Sequence, residues 1–136
     1  MKTKARLVIY ENGQLLMLKS ARKHNRYCFV GGGVGKWESP VEALIRECEE
    51  EISLTVSADE IVLAEILPFY SHGKEGREWF YRLVSPLTQV SLIETWKFSS
   101  LDWLSVYEAL HMVNPSGKNH LYNQFLNPRE LVVSVL

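Results

Sequence analysis

The chain lacks several features that would have assigned it to familiar classes. It has 2 cysteines in 136 residues, Cys28 and Cys48, without the partner pattern of a disulfide framework or a zinc site. Both read as buried thiols, Cys48 on the apolar side of a predicted helix. No apolar run approaches the roughly 20 residues of a membrane span, and the opening "MKTKARLVIYENG" is too polar and too soon interrupted for a secretory leader. A cytoplasmic protein with no membrane partner is expected. Basic runs are missing and the net charge is -1, which argues against dedicated nucleic-acid binding and favours small-molecule partners. There are no repeats, linkers or low-complexity segments. With 46% hydrophobic and 23% charged residues, residues 1–136 read as one domain large enough to bury a core.

What is present is ordered by short signals. Asn12-Gly13 separates two β-rich runs, predicting an antiparallel hairpin of strands 4–10 and 14–19. Residues 26–30, "RYCFV", form an apolar run ending in "GGGVG", where the chain can approach a ligand closely. Ser39-Pro40-Val41-Glu42 is a capping box with proline at the first helical position, opening a helix that Ser53 ends. Val41, Leu44, Ile45, Cys48 and Ile52 form its buried stripe. Strands are expected over 60–70 and 78–85, joined by a loop, "SHGKEGR", long enough to act as a lid. A helix is expected over 103–113, a short turn over 118–126 and a tail strand in "ELVVSVL".

The helix carries a conflict. Its end reads "IRECEEE", negative side chains where the helix dipole is already negative. At about 100° per residue, with Arg46 at zero, Glu50 falls at about 40°, Glu47 at about 100° and Glu51 at about 140°. The apolar stripe occupies about 160° to 260°, and Glu42 and Glu49 point away near 300° to 320°. Glu47, Glu50 and Glu51 are helical neighbours at a spacing where like charges repel by about 0.2 to 0.5 kcal/mol per pair. A divalent cation removes the conflict. Mg2+, or Mn2+ as the alternative, takes carboxylate oxygens and completes its shell with waters and substrate phosphates.

These residues resemble the Nudix box, G-x5-E-x7-R-E-U-x-E-E-x-G-U with U aliphatic. Gly32 opens it, Glu38 follows, then Arg46-Glu47, Cys48, Glu50-Glu51 and Leu54. The N-terminal hairpin, the strand into the glycines and the C-terminal helix are also similar to that family. The resemblance implies an α/β fold, a Nudix-type α/β/α sandwich with a mixed β-sheet. It also implies a hydrolase cleaving a diphosphate linkage in a nucleoside diphosphate-linked substrate: a nucleoside triphosphate, a nucleotide sugar or a dinucleoside polyphosphate. Carried over by position, Glu47, Glu50 and Glu51 would bind metal and serve catalysis with Arg46. The Gly31 carbonyl would add an oxygen, Glu38 would bind metal indirectly or fix the loop, and Gly32 would support it. A catalytically silent nucleotide-binding module is the alternative, and a homodimer is left open.

Three positions depart from the pattern: Val30 stands before the glycines, Trp37 before Glu38, and Ser53 where the box has glycine. A left-handed Ser53 would cost about 1 kcal/mol. Trp37 either packs on its loop or narrows a substrate pocket. Tyr70, Trp37 and Arg22 are the candidate substrate contacts. Glu75 and Glu78 are the candidates for an extra base or ligand from a later strand, with solvated surface as the commoner role of such residues.

Overall fold

In the computed structural model, which describes residues 1–126, two sheets are packed between helices. Strand β1 (Lys2–Val8) lies inside the first sheet, antiparallel to β5 (Val30–Gly33) and parallel to β7 (Lys74–Leu83), and β6 (Ile61–Ser71) closes that sheet beyond β7. In the second sheet β3 (Gln14–Ser20) pairs with β8 (Phe98–Leu104) along one edge and with β2 (Tyr10–Glu11) and β4 (Tyr27–Cys28) along the other. Parallel and antiparallel pairs make the first sheet mixed, as expected.

Alternation along the strands feeds two cores. Ala5, Leu7, Leu16, Leu18 and Tyr81 join Leu44, Cys48 and Ile52 of helix α1 (Pro40–Ile52) on one side. Val8, Leu15, Met17 and Phe80 meet α2 (Val106–Leu110) and α3 (Pro115–Phe125) on the other. The layers are therefore α/β/α. Helix α1 begins as read: Ser39 accepts from the Glu42 N–H, and Glu42 accepts from the Ser39 N–H. Ser53 ends it in the left-handed conformation, φ 55°, while the Leu54 N–H closes on the Cys48 carbonyl at 3.1 Å.

Four expectations are corrected. The Asn12-Gly13 turn forms, with φ of 52° and 77°, but the hairpin ladder is confined to Tyr10–Glu11 against Gln14 and Leu15. The chain before it leaves for the other sheet, where β1 is paired on both edges and buries more apolar surface than a two-stranded ribbon would. The proposed lid is instead a tight turn, His72-Gly73, with φ of 51° and 75°, because β7 starts already at Lys74. The helix expected over 103–113 is shorter: Trp103 and Leu104 finish β8, and Ser105 caps α2 with Glu108 in a second capping box. The turn expected over 118–126 is the longer α3, with Asn114 as its cap and Pro115 at its first position. The tail strand lies outside the described residues.

Candidate metal and phosphate site

Three backbone features build the site. Strand β5 carries the glycines between β1 and α1. At Gly31, φ 130°, a Cβ would lie 2.0 Å from the Ala5 carbonyl oxygen, and at Gly32 one would lie 2.8 Å from Glu47 Oε1. Glycine is thus required for the sheet to close and for a carboxylate to rest on the strand. Helix α1 presents the acidic face. The segment after β7 crosses the C-terminal end of α1, where the N–H groups of Ser91 and Ile93 bond the Ile52 and Glu51 carbonyls, each at 3.0 Å.

That crossing delivers Glu94. Glu47, Glu51 and Glu94 each place a carboxylate oxygen within 4.8 Å of the others'. Glu51 is fully buried; its Oε1 accepts from the Gly31 N–H at 2.8 Å. Glu51 Oε2 and Glu94 Oε1 are buried without a hydrogen-bond partner among the described residues. Lys97 Nζ lies 3.9 Å from each of those two oxygens, too far to donate. Burial pushes the Glu51 carboxyl up to about 8; the Gly31 N–H and the Arg6 and Lys97 charges oppose the rise and Glu47 adds to it. Unpaired buried oxygens are costly, and hard divalent cations take oxygens of this kind. The residues fit such an ion.

Arg46 organises the rim. It holds Glu38 through two bonds, Nε to Oε2 at 2.7 Å and Nη2 to Oε1 at 2.9 Å, and reaches Glu47 at 3.3 Å, Glu50 at 3.2 Å and the Gly33 carbonyl at 3.3 Å. The Arg46 fork, helped by the Gly35 N–H, depresses Glu38 to about 2. Glu50 stands on this rim with its side chain 47% exposed, outside the buried trio. The Gly31 carbonyl, an anticipated ligand, accepts from Arg6 Nη1 at 2.9 Å.

Other candidates divide. Arg22 lines the cleft above the acidic cluster, a space of about 720 Å3, but Tyr70 and Trp37 are not among its lining residues. Both are instead strongly exposed, Trp37 with the Lys36 ammonium 5.3 Å from its ring centre. Glu75 pairs with Arg77 at the surface. Glu78 is buried on β7 and bonded by Arg6 Nε at 2.8 Å, by the Ser116 hydroxyl and by Asn114. Glu94 escaped sequence reasoning altogether, since it belongs to no element and to no motif.

An α/β/α sandwich with buried acids under a cationic cleft defines a domain able to hold a cation and an anionic ligand side by side. The chain belongs to the NUDIX family: the sequence model of the NUDIX domain matches residues 1–125. No curated protein sequence matches it. In structure it is similar to the E. coli ORF135 protein, with 24% identity, 95% of this chain and 91% of that one covered, and a TM-score of 0.73. The E. coli dihydroneopterin triphosphate pyrophosphohydrolase gives 21% identity, 92% and 95% coverage and a TM-score of 0.73. A C. elegans Ap4A hydrolase gives 22% identity, 93% and 98% coverage and a TM-score of 0.67. No helix among the described residues is long and apolar enough to cross a membrane.

Proposed function

We propose that this Nudix domain is a Mg2+- or Mn2+-dependent hydrolase that cleaves a diphosphate linkage in a nucleoside diphosphate-linked substrate by attack of water. One observation carries the reading: two buried carboxylate oxygens, on Glu51 and Glu94, without a hydrogen-bond partner among the described residues, converge with Glu47 at the floor of a cleft walled by cations. Glu47, Glu51 and Glu94 would hold the ion, with Glu50 contributing from the rim. When bound, the cation supplies Lewis-acid polarisation of a phosphoryl oxygen and lowers the pKa of a ligated water. The chain's own groups do the rest. Arg46 holds Glu38, Glu47 and Glu50 in one network and balances their charge. The Gly31 N–H fixes the rotation of the Glu51 carboxylate, and Lys97 offers its ammonium to a phosphate oxygen from beside the acids. Two free thiols suit a reducing, cytoplasmic setting.

Two measurements test this. Incubation with a nucleotide panel and Mg2+ should release phosphate-containing products, and Glu51→Gln should abolish turnover; a panel with no cleaved member sinks the reading. Melting with and without Mg2+ should show a metal-dependent rise that Glu51→Gln and Glu94→Gln remove, since an ion bound only by the folded state stabilises it.

A further inference from the structure

Hydrolysis at the acidic floor leaves most of the cationic wall without a task. Arg6 is paired with Glu78, and Lys97 neighbours Glu51 and Glu94. Lys2, Lys4, Arg22, Lys23 and Arg26 also line the cleft, and none of them is in an ion pair among the described residues. Partners are not scarce in a chain with 16 acidic and 15 basic residues. The five are gathered where acids could have answered them and do not.

Their placement is directional. Lys2 and Lys4 share a face of β1 with Arg6, in steps of about 6.8 Å. Arg6 stands opposite Gly31 and Lys4 opposite Gly33, so the row leads away from the Gly31–Glu51 contact along the glycine strand. Lys4 is partly buried, with its ammonium 4.5 Å from the centre of the Phe69 ring. Arg22, Lys23 and Arg26 lie between β3 and β4. The Ala21 N–H bonds the Lys97 carbonyl at 3.0 Å, which ties that loop to the turn carrying Glu94 and Trp96. Tyr27, Phe29 and Phe98 in the cleft are buried, whereas Trp96 is 67% exposed, a large apolar face that no core among the described residues accounts for.

We propose that this half of the cleft is a subsite for an extended phosphate chain: the substrate carries at least three phosphates in line and an aromatic ring. Distal phosphates lie along Lys2, Lys4 and the loop cations, and the ring lies against Trp96. The assignment rests on the proposed diphosphate hydrolysis and narrows its substrate to nucleoside triphosphates and longer nucleoside polyphosphates, against nucleotide sugars. Charge decides the choice. A nucleotide sugar brings about two negative charges, whereas a nucleoside triphosphate brings about four at neutral pH, because a terminal phosphate loses its second proton near pH 6. Only the longer chain answers five cations that are in no ion pair among the described residues.

The test uses inorganic probes and nucleotides with the full chain in Mg2+. Wild type should bind tripolyphosphate at least about tenfold more tightly than pyrophosphate, the scale of one added charge-assisted contact. Lys2→Ala/Lys4→Ala should reduce that ratio to about twofold or less, and Arg22→Ala/Lys23→Ala, which leaves the Phe69 contact intact, should do the same. In turnover, the kcat/KM preference for a nucleoside triphosphate over the nucleotide sugar of the same base should fall with them. Trp96→Ala should raise KM for nucleotides roughly tenfold without altering tripolyphosphate binding, and Trp96→Phe should restore it. Nucleotides hydrolysed with a selectivity that neither cation pair alters would overturn the subsite and leave the hydrolase standing. A tripolyphosphate preference lost in the variants, with no nucleotide cleaved, would sink the hydrolase reading and support the phosphate subsite.

Discussion

Glu51 and Glu78 are both buried glutamates in the wall of one cleft, and they are held in opposite ways. Glu78 is answered on both oxygens: Arg6 donates to Oε2, and Ser116 and Asn114 donate to Oε1. Burial would raise its pKa, but the Arg6 charge and the hydrogen bonds from Ser116 and Arg6 outweigh burial and hold it below the ordinary carboxylate range. Among the described residues Glu51 is answered on one oxygen only, and burial carries it up to about 8. A buried acid with a full set of partners is a fastener, and here it locks β1, β7 and the start of α3 together. One left half-answered keeps an oxygen with the chemistry to take a cation.

Substitution should separate the two most sharply in activity and stability. Glu51→Gln should cost at least about a hundredfold in kcat, the scale of losing one electrostatic group aimed at the transition state, while leaving the metal-free protein folded. Glu78→Ala should instead unfold it more easily, by about 3 to 5 kcal/mol, because Arg6 is left buried and unpaired; urea melts measure this. A Glu51→Gln variant with full turnover would collapse the distinction.

The next contrast is in pH, with metal removed by chelator. Glu78 has a depressed folded pKa, so its contribution is present above the unfolded value near 4.5 and is lost as pH falls through the folded one. Glu51 has a raised folded pKa, so the folded state holds its proton longer than the unfolded chain, and stability should decline as pH climbs from about 4.5 to about 8. Melting temperature against pH should therefore fall on both sides, and Glu51→Gln should flatten only the alkaline side. The smallest effect lies at the helix end. Ser53→Gly should raise stability by about 1 kcal/mol or less, since glycine takes the left-handed conformation without strain.

The acidic helix was legible because its capping box, apolar stripe and charges all obey one period. Even the split within the acids could be read there: Glu47 and Glu51, nearer the stripe, are buried, while Glu50, nearer Arg46, is on the rim. Sheet membership was not legible. "KARLVIY" has the alternation of a hairpin arm, and nothing local says that its partners are β5 and β7, far along the chain. Glu78 opens an expected strand and is a candidate extra base or ligand, but its buried pairing with Arg6 had no signal, because the two glycines and three charges just before it mask a tight turn. Glu94 had no signal, being placed by backbone bonds from Ser91 and Ile93.

Those bonds reach carbonyl groups at the C-terminal end of α1, and the atoms doing the holding belong to every amino acid alike. The stretch before Glu94 is therefore anchored by its main chain. Its exposed side chains, at Thr88, Gln89, Ser91 and Ile93, are free to vary without moving the acid, while Leu87, Val90 and Leu92 pack against the core; the same Glu51 that faces the cleft with its carboxylate receives the Ile93 N–H on its carbonyl. A mutational scan across 85–93 should meet tolerance at Thr88, Gln89, Ser91 and Ile93, proline at the last two excepted, and loss of stability at Leu87, Val90 and Leu92, which pack against the core.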